Sequence, residues 1–236
     1  MPVYRIPEDE VVFPHPDLSE PSGLLGVGGD LRPERLLLAY ANGIFPWYSE
    51  GQPILWFSPD PRCVLEPSQL HIGRSLRKVL RKKAFTVTLD TAFGQVIDAC
   101  KDTPRPGQEG TWITPDMREA YCRLHSLGYA HSVEVWSGDD LVGGLYGVAL
   151  GQLFAGESMF SHASDASKTG LVWLVRQLQV WNFALVDAQV QTDTLTRMGA
   201  VELARSDYIE RISPLVRADG RQGQWAFDSQ FDPLSV

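Results

Sequence analysis

The chain has 236 residues, 44% of them hydrophobic, 10% aromatic and 21% charged, with a formal net charge of −8. That composition supplies a sizeable core for one or two domains and excludes a disordered or collagen-like chain. The longest apolar runs, such as residues 171–175, fall far short of the ~18 residues of a membrane span, and the opening MPVYRIPEDE lacks the apolar core of a signal peptide, so a cytoplasmic protein with no membrane partner is expected.

The first sixty residues are rich in Pro, Gly and aromatic side chains and contain one helical stretch. Pro33 stands where a helix start tolerates it, Leu36, Leu37 and Tyr40 share a face, and Gly43 occupies the position of a C-terminal cap. An aromatic loop follows over residues 43–62, in which Pro46, Pro53, Pro59 and Pro61 exclude long regular structure. Its Trp47, Trp56 and Phe57 need a core or a ligand. Beyond it the pattern changes to alternating helix-like and strand-like segments, which predicts a boundary near Cys63, with domains at 1–63 and 64–236.

The second part opens with a basic helical segment over 71–83, followed by a half-buried strand in which Phe85, Val87 and Leu89 alternate. A short helix over 92–100 leads into a polar loop, 101–110, whose two prolines and two glycines predict easy movement. Thr114 caps a helix that has Pro115 at its first position, Met117, Tyr121 and Leu124 at helical spacing, and Gly128 at its end. Strands over 131–136, 141–152 and 154–160 form an antiparallel meander turned at first by SGDD. A helix over 166–181 carries an apolar stripe of Leu171, Leu174, Val175, Leu178 and Trp181, and the buried strand FALVDAQ follows it. This order predicts an α/β (α+β) unit with a mixed sheet flanked by helices, with ligands near Glu157 to Lys168 and Asp187 to Gln189.

Several clusters bear on chemistry. Cys63, Cys100 and Cys122 have neither paired spacing nor neighbouring histidines, so packing is their expected role, with no disulfide framework and no metal site. Arg74, Arg77, Lys78, Arg81, Lys82 and Lys83 reverse the sign of an acidic chain within ten residues. They read as a solvated helix face or as a phosphate-binding patch for a nucleic acid end. Trp47, Trp56 and Trp112 are candidate stacking platforms or core fillers, and Trp136 reads as core. Ser167 to Gly170 lacks the upstream glycine of a phosphate loop, and the S-x-x-K at Ser75 with the K-T-G at Lys168 lies on helices, not in the context a penicillin-recognising enzyme needs. Glu157, Asp187 and Gln189 stand at strand ends among apolar neighbours; Asp187 and Gln189, two apart on a strand, are expected to face one side.

The blocks GLLGVGGDL, GIFPWYS, ILWFSPDPR, HIGRSLRK, GTWIT, AHSVEVW, LVGGLYGVALG, FAGESMFS, ASKTGL and LVDAQ, in this order, resemble bacterial leucyl/phenylalanyl-tRNA-protein transferases over nearly the whole chain. The resemblance implies a small N-terminal domain joined to a GNAT-like acyltransferase domain. It implies transfer of Leu or Phe from aminoacyl-tRNA to the α-amine of proteins with N-terminal Arg or Lys, marking them for degradation, with no cofactor. By the same resemblance Trp47 and Trp112 hold the terminal adenosine, the basic helix contacts tRNA, and Leu145, Leu171, Leu174 and Val186 line the aminoacyl side-chain pocket. Glu157 then lies near the aminoacyl group, and Asp187 with Gln189 forms the catalytic pair.

An aminoacyl ester is already activated, so the amine needs orientation and loss of a proton, and an α-amine of pKa ~8 is partly neutral at pH 7. On this reading Asp187 orients Gln189, whose amide oxygen accepts from the attacking amine, while the Asp187 charge favours the proton's departure. One departure stands out: TLTRMGA at 194–200 replaces the family's usual HLxSLGA, with Thr194 and Arg197 at the His and Ser positions. Competing readings are an aminoacyl-tRNA-dependent peptidoglycan aminoacyltransferase, an idle tRNA- or degron-binding module, and an acetyl-CoA-dependent acetyltransferase. A monomer is expected because no apolar stripe is left unexplained.

Overall fold

In the computed structural model, which describes residues 3–104 and 111–236, prolines keep the strands of the first sixty residues short without abolishing them. β1 (Tyr4–Ile6), β2 (Leu24–Gly28), β3 (Phe45–Pro46) and β4 (Leu55–Phe57) form a sheet in the order β1-β2-β4-β3. This sheet corrects the expectation of one helix and an aromatic loop: strands of two or three residues have no alternation to read. α1 (Pro33–Ala41) starts at its proline and ends just before Gly43, whose φ of +71° favours glycine. Trp56 is fully buried in this unit, its indole N–H donating to the Gly28 carbonyl at 2.9 Å. It is therefore a core residue, not a stacking platform.

The second sheet has seven strands. β5 (Arg62–Leu65), β6 (Thr86–Leu89), β7 (Ala130–Ser137), β8 (Asp140–Leu150), β9 (Leu153–Ser161), β10 (Leu185–Gln189) and β11 (Val201–Leu203) lie in the order β11-β5-β10-β9-β8-β7-β6. Its pairs are antiparallel except β9 with β10, which are parallel and joined by α5 (Ala166–Val180). The sheet is thus mixed and flanked by helices, as its segment order predicts. The division expected at residue 63 falls inside β5, so Arg62 already belongs to the large sheet.

α3 (Phe93–Asp102) and α4 (Pro115–Ser126) pack on one face with α1, and α2 (Arg74–Arg81) and α5 on the other. α2 is shorter than the predicted 71–83 because Ile72 is a buried anchor ahead of the helix and Lys83 turns left-handed at φ +48°. Thr114 accepts the Met117 N–H at 3.2 Å, the cap the sequence predicts. Close approach of α5 to the sheet depends on Gly143, where a Cβ would meet that of Ala166 at 2.7 Å. α6 (Asp193–Arg197) and α7 (Arg205–Leu215) complete the order, and Trp225 stacks on His131 at 3.6 Å to close the sheet's far side. Cys63 and Cys100 are buried and Cys122 half-buried; Trp136 is half-buried, its indole N–H donating to Thr88 Oγ1 at 2.9 Å, and so sits at the core's margin. Of the polar loop expected over 101–110, residues 105–110 lie outside the described part. Among the described residues no helix is long and apolar enough to cross a membrane.

Candidate active site

β10 leaves the sheet irregularly. Its register against β5 shifts between Asp187 and Gln189, and Gln189 adopts φ +60°. The alternation rule therefore fails at this point, and the two side chains diverge instead of sharing a side. Asp187 turns inward and is 1% exposed. Its Oδ1 accepts from Arg62 Nε at 2.8 Å and from the backbone N–H of Gln189 at 2.9 Å, while Oδ2 accepts from Arg62 Nη2 at 2.6 Å and the Tyr208 hydroxyl at 2.8 Å. Asp187 thus meets Gln189 through the main-chain N–H and not through the side-chain amide.

Arg62 binds more than Asp187. Its Nη1 donates to the Gly43 carbonyl at 3.1 Å, and its guanidinium lies between the rings of Phe45 and Tyr208, 4.9 and 4.7 Å from their centroids. Burial opposes its charge, but Asp187 outweighs burial and holds the guanidinium above its ordinary pKa. Burial, then the Asp187 charge, raises the Tyr208 hydroxyl well above its ordinary value. The aromatic segment is in this way tied to β10. Sequence reading missed Arg62 and Tyr208; the only available signal was a cation in an otherwise apolar four-residue strand, RCVL.

The Gln189 side chain points the other way and donates its amide N–H to Glu157 Oε1 at 2.8 Å, which leaves the amide oxygen as its accepting end. Glu157 Oε2 accepts from the Tyr121 hydroxyl at 3.1 Å, and Tyr121 is hydrogen bonded in turn to Tyr40. Burial pushes the Glu157 carboxyl up to about 7, against the hydrogen bonds from Tyr40, Tyr121 and Gln189, and the nearby Asp187 charge adds to the rise. Burial raises both tyrosines well above their ordinary range too, so they remain phenols.

Two cavities meet here. One, of about 260 Å³, is lined by Leu145, Leu171, Leu174 and Val186 together with Met159 and Phe154. The other, of about 370 Å³, is bordered by Trp47, Trp112, Phe45 and Gln189. Glu157, Val190 and Thr192 line both. Trp47 is 44% exposed and rests edge-on against Phe57, whereas Trp112 is buried. Thr114, two residues after Trp112, donates its hydroxyl to Tyr48, the neighbour of Trp47, at 3.3 Å. That bond holds the two tryptophan-bearing segments together across the cavity mouth. Thr194, the first residue of the TLTRMGA stretch that stands in place of HLxSLGA, lines the apolar cavity.

The basic residues stand apart from both cavities. Arg74, Lys78, Arg81, Lys82 and Lys83 are exposed and Arg77 is half-buried; among the described residues none of the six makes an ion pair. Leu76 and Leu80 anchor the opposite face of α2. Arg176 on α5 is held below its ordinary pKa, first by burial and then by Arg77, so the positive patch continues onto the helix that lines the apolar cavity. Among the described residues no group of three or more His, Cys, Asp or Glu is placed to hold a metal ion.

Residues 64–213 match the family described as leucyl/phenylalanyl-tRNA protein transferase, and residues 29–60 match the N-terminal domain of that family. A leucyl/phenylalanyl-tRNA–protein transferase of Nitratidesulfovibrio vulgaris (strain DP4) is 54% identical over 233 residues, covering 99% of this chain and 100% of that protein. The same-named protein of Myxococcus xanthus (strain DK1622) is 52% identical over 234 residues, covering 99% and 100%. Among solved structures, a GCN5-related N-acetyltransferase from Kribbella flavida aligns with a TM-score of 0.36 at 11% identity, covering 73% of this chain and 61% of that one.

Proposed function

The chain belongs to the leucyl/phenylalanyl-tRNA protein transferase family, enzymes of aminoacyl transfer from tRNA to protein, and on that premise we propose its substrates and the roles of its residues. It transfers Leu or Phe, with Met as a third donor, to the α-amine of proteins that begin with Arg or Lys, marking them for degradation. It works as a monomer in the cytoplasm and needs no cofactor.

The observation that carries this reading is the junction of an aromatic-rimmed cavity with an apolar one at Glu157, beside Gln189. A terminal adenosine offers a flat base to Trp47 and Trp112. The aminoacyl side chain enters between Leu145, Leu171, Leu174 and Val186, a space that admits Leu or Phe and gains ~1.5–3 kcal/mol from burial of such a side chain. The ester carbonyl then lies at the junction. The Gln189 amide oxygen accepts a hydrogen bond from the incoming amine and aims its lone pair at the carbonyl carbon, while Asp187, neutralised by Arg62, keeps the Gln189 backbone in its left-handed turn. Arg74, Arg77, Lys78, Arg81, Lys82 and Lys83, joined by Arg176, bind phosphates of the tRNA.

The test is transfer of radiolabelled leucine from Leu-tRNA to two peptides that differ only in a first residue of Arg or Glu, with a muropeptide as a third acceptor. Transfer to the Arg peptide alone is expected. Transfer to the muropeptide in its place would move the chain to cell-wall chemistry, and transfer to the Glu peptide would refute the acceptor assignment.

A further inference from the structure

We propose that Glu157 is the catalytic base that receives the proton of the attacking amine, with Gln189 and Asp187 as positioning residues. This rests on the aminoacyl-transfer reading and adds a role to it.

The two carboxylates differ in the lone pairs they have free. A carboxylate has about four acceptor positions. Those of Asp187 are all engaged, by two guanidinium N–H groups, the Tyr208 hydroxyl and the Gln189 backbone N–H, and although the residue borders the apolar cavity it is only 1% exposed. An amine would have to displace one of these donors to reach it. Glu157 has three donors, Gln189 Nε2 at 2.8 Å, Tyr121 Oη at 3.1 Å and the Tyr40 hydroxyl, which leaves one position open, and of the two carboxylates it is the one that lines both cavities. Gln189 spans the gap: its nitrogen is bound to Glu157, so an amine hydrogen bonded to the Gln189 oxygen lies next to the carboxylate as well.

The surroundings suit the role. Tyr40 faces Glu157 from α1, Tyr121 from α4, Tyr146 from β8, and Asp187 and Gln189 from β10. The one charged group among them, Asp187, is already paired with Arg62. Among the described residues no Lys, Arg or His is hydrogen bonded to Glu157, so its charge is available to an incoming ammonium. Proton transfer from an amine of pKa ~8 to a carboxylate of ordinary pKa ~4 is unfavourable by ~10⁴, whereas to one near 7 it is unfavourable by only about tenfold. Burial of Glu157 supplies that match.

The step balances. The amine lone pair forms the C–N bond as the carbonyl π pair moves to oxygen, and the nitrogen's proton passes to the Glu157 carboxylate. As the tetrahedral centre collapses, the bond to the ribose oxygen breaks. That oxygen takes the proton from the Glu157 carboxyl, so an ester and an amine become an amide and an alcohol and the carboxylate is restored. The Tyr121 hydroxyl, held by Tyr40, stabilises the anion at each end of the cycle.

Single-turnover transfer from Leu-tRNA, followed from pH 5.5 to 9, tests this with two nucleophiles: a peptide with N-terminal Arg and the weakly basic hydroxylamine, which is the more fully unprotonated of the two around neutral pH and releases its proton more readily once bonded to carbon, so that it depends less on a base. Glu157→Gln is expected to slow transfer to the peptide by ~10²–10⁴, with an unchanged half-saturating Leu-tRNA concentration and less than a tenfold loss towards hydroxylamine. Tyr121→Phe, which removes a donor to the carboxylate, is expected to move the rising limb of the peptide rate to higher pH. Equal losses with both nucleophiles, or a Glu157→Gln rate within threefold of the unsubstituted chain, would overturn the assignment. If the unsubstituted chain transfers leucine to neither nucleophile, the aminoacyl-transfer reading itself fails and this role falls with it.

Discussion

Arg62 and Asp187, 125 residues apart in sequence, meet as a two-pronged ion pair with neither side chain more than 1% exposed. Removing one partner leaves an uncompensated buried charge, so Arg62→Ala is expected to lower the unfolding free energy by ~3–5 kcal/mol. Urea unfolding at pH 7 measures it. Arg62→Lys cannot reproduce the fork and will recover only part of the loss. A paired Arg62→Met, Asp187→Leu variant will unfold at higher urea than Arg62→Ala and will transfer no leucine, which separates the ion pair's contribution to stability from its contribution to placing Gln189.

Trp47 and Trp112 predict different outcomes on truncation. Trp47 is 44% exposed, so Trp47→Ala will leave stability within ~0.5 kcal/mol while weakening aminoacyl-tRNA binding by ~1–3 kcal/mol, the usual worth of one stacked base. Trp112 is buried, and Trp112→Ala will cost both binding and ~3–5 kcal/mol of stability. Filter binding and thermal melts on the same preparations check the contrast.

Filling the apolar cavity will change donor choice. Leu174→Phe reduces a space of about 260 Å³ from its α5 wall, and transfer of Phe is expected to fall relative to Leu by ~10–200-fold, the range set by one or two methylene-sized clashes. Competition between Phe-tRNA and Leu-tRNA in one reaction gives the ratio directly.

Charge on α2 predicts salt dependence. Each of Arg74→Ala, Lys78→Ala and Arg81→Ala will weaken tRNA binding for every tRNA sequence and reduce the slope of log affinity against log salt by ~1. A change confined to one tRNA species would contradict a phosphate role.

Stability should respond to Glu157 with a definite sign. Its carboxyl is raised from 4.5 to about 7, so the folded chain binds more protons than the unfolded one between those values. The stabilising effect is fully present below pH 4.5 and is lost as the pH rises through 7. Glu157→Gln carries no charge to bury, so relative to the unsubstituted chain it will gain on the order of 1–3 kcal/mol between pH 4.5 and pH 8. Denaturant midpoints at the two pH values give the difference.

The order of helices and strands in the second part was legible because its segments are long enough to show a period: eight to eleven residues in β7, β8 and β9, and fifteen in α5. The first part was not, because β3 and β4 hold two and three residues and gain their identity from pairing. At the site, polar residues at strand ends pointed to Glu157, Asp187 and Gln189. The rule of alternation then misjudged how the last two relate, since a bulge and a left-handed residue intervene. Arg62, Tyr208, Tyr121 and Tyr40 act through partners 21 to 125 residues away, and no local pattern announces contacts of that range. Trp47, Trp56 and Trp112 looked alike as loop tryptophans; burial separates them.

The donors around Asp187 come from both ends of the chain: Arg62 from the first third, Tyr208 from the last tenth or so. A ribosome releasing this chain exposes Asp187 well before α7 can fold against it. Until Tyr208 arrives the carboxylate lacks one of its partners, and the turn at Gln189 lacks its full anchorage. On the proposed roles the basic helix is therefore made before the turn at Gln189 is fully anchored, and a chain shortened ahead of α7 is expected to bind tRNA without transferring leucine.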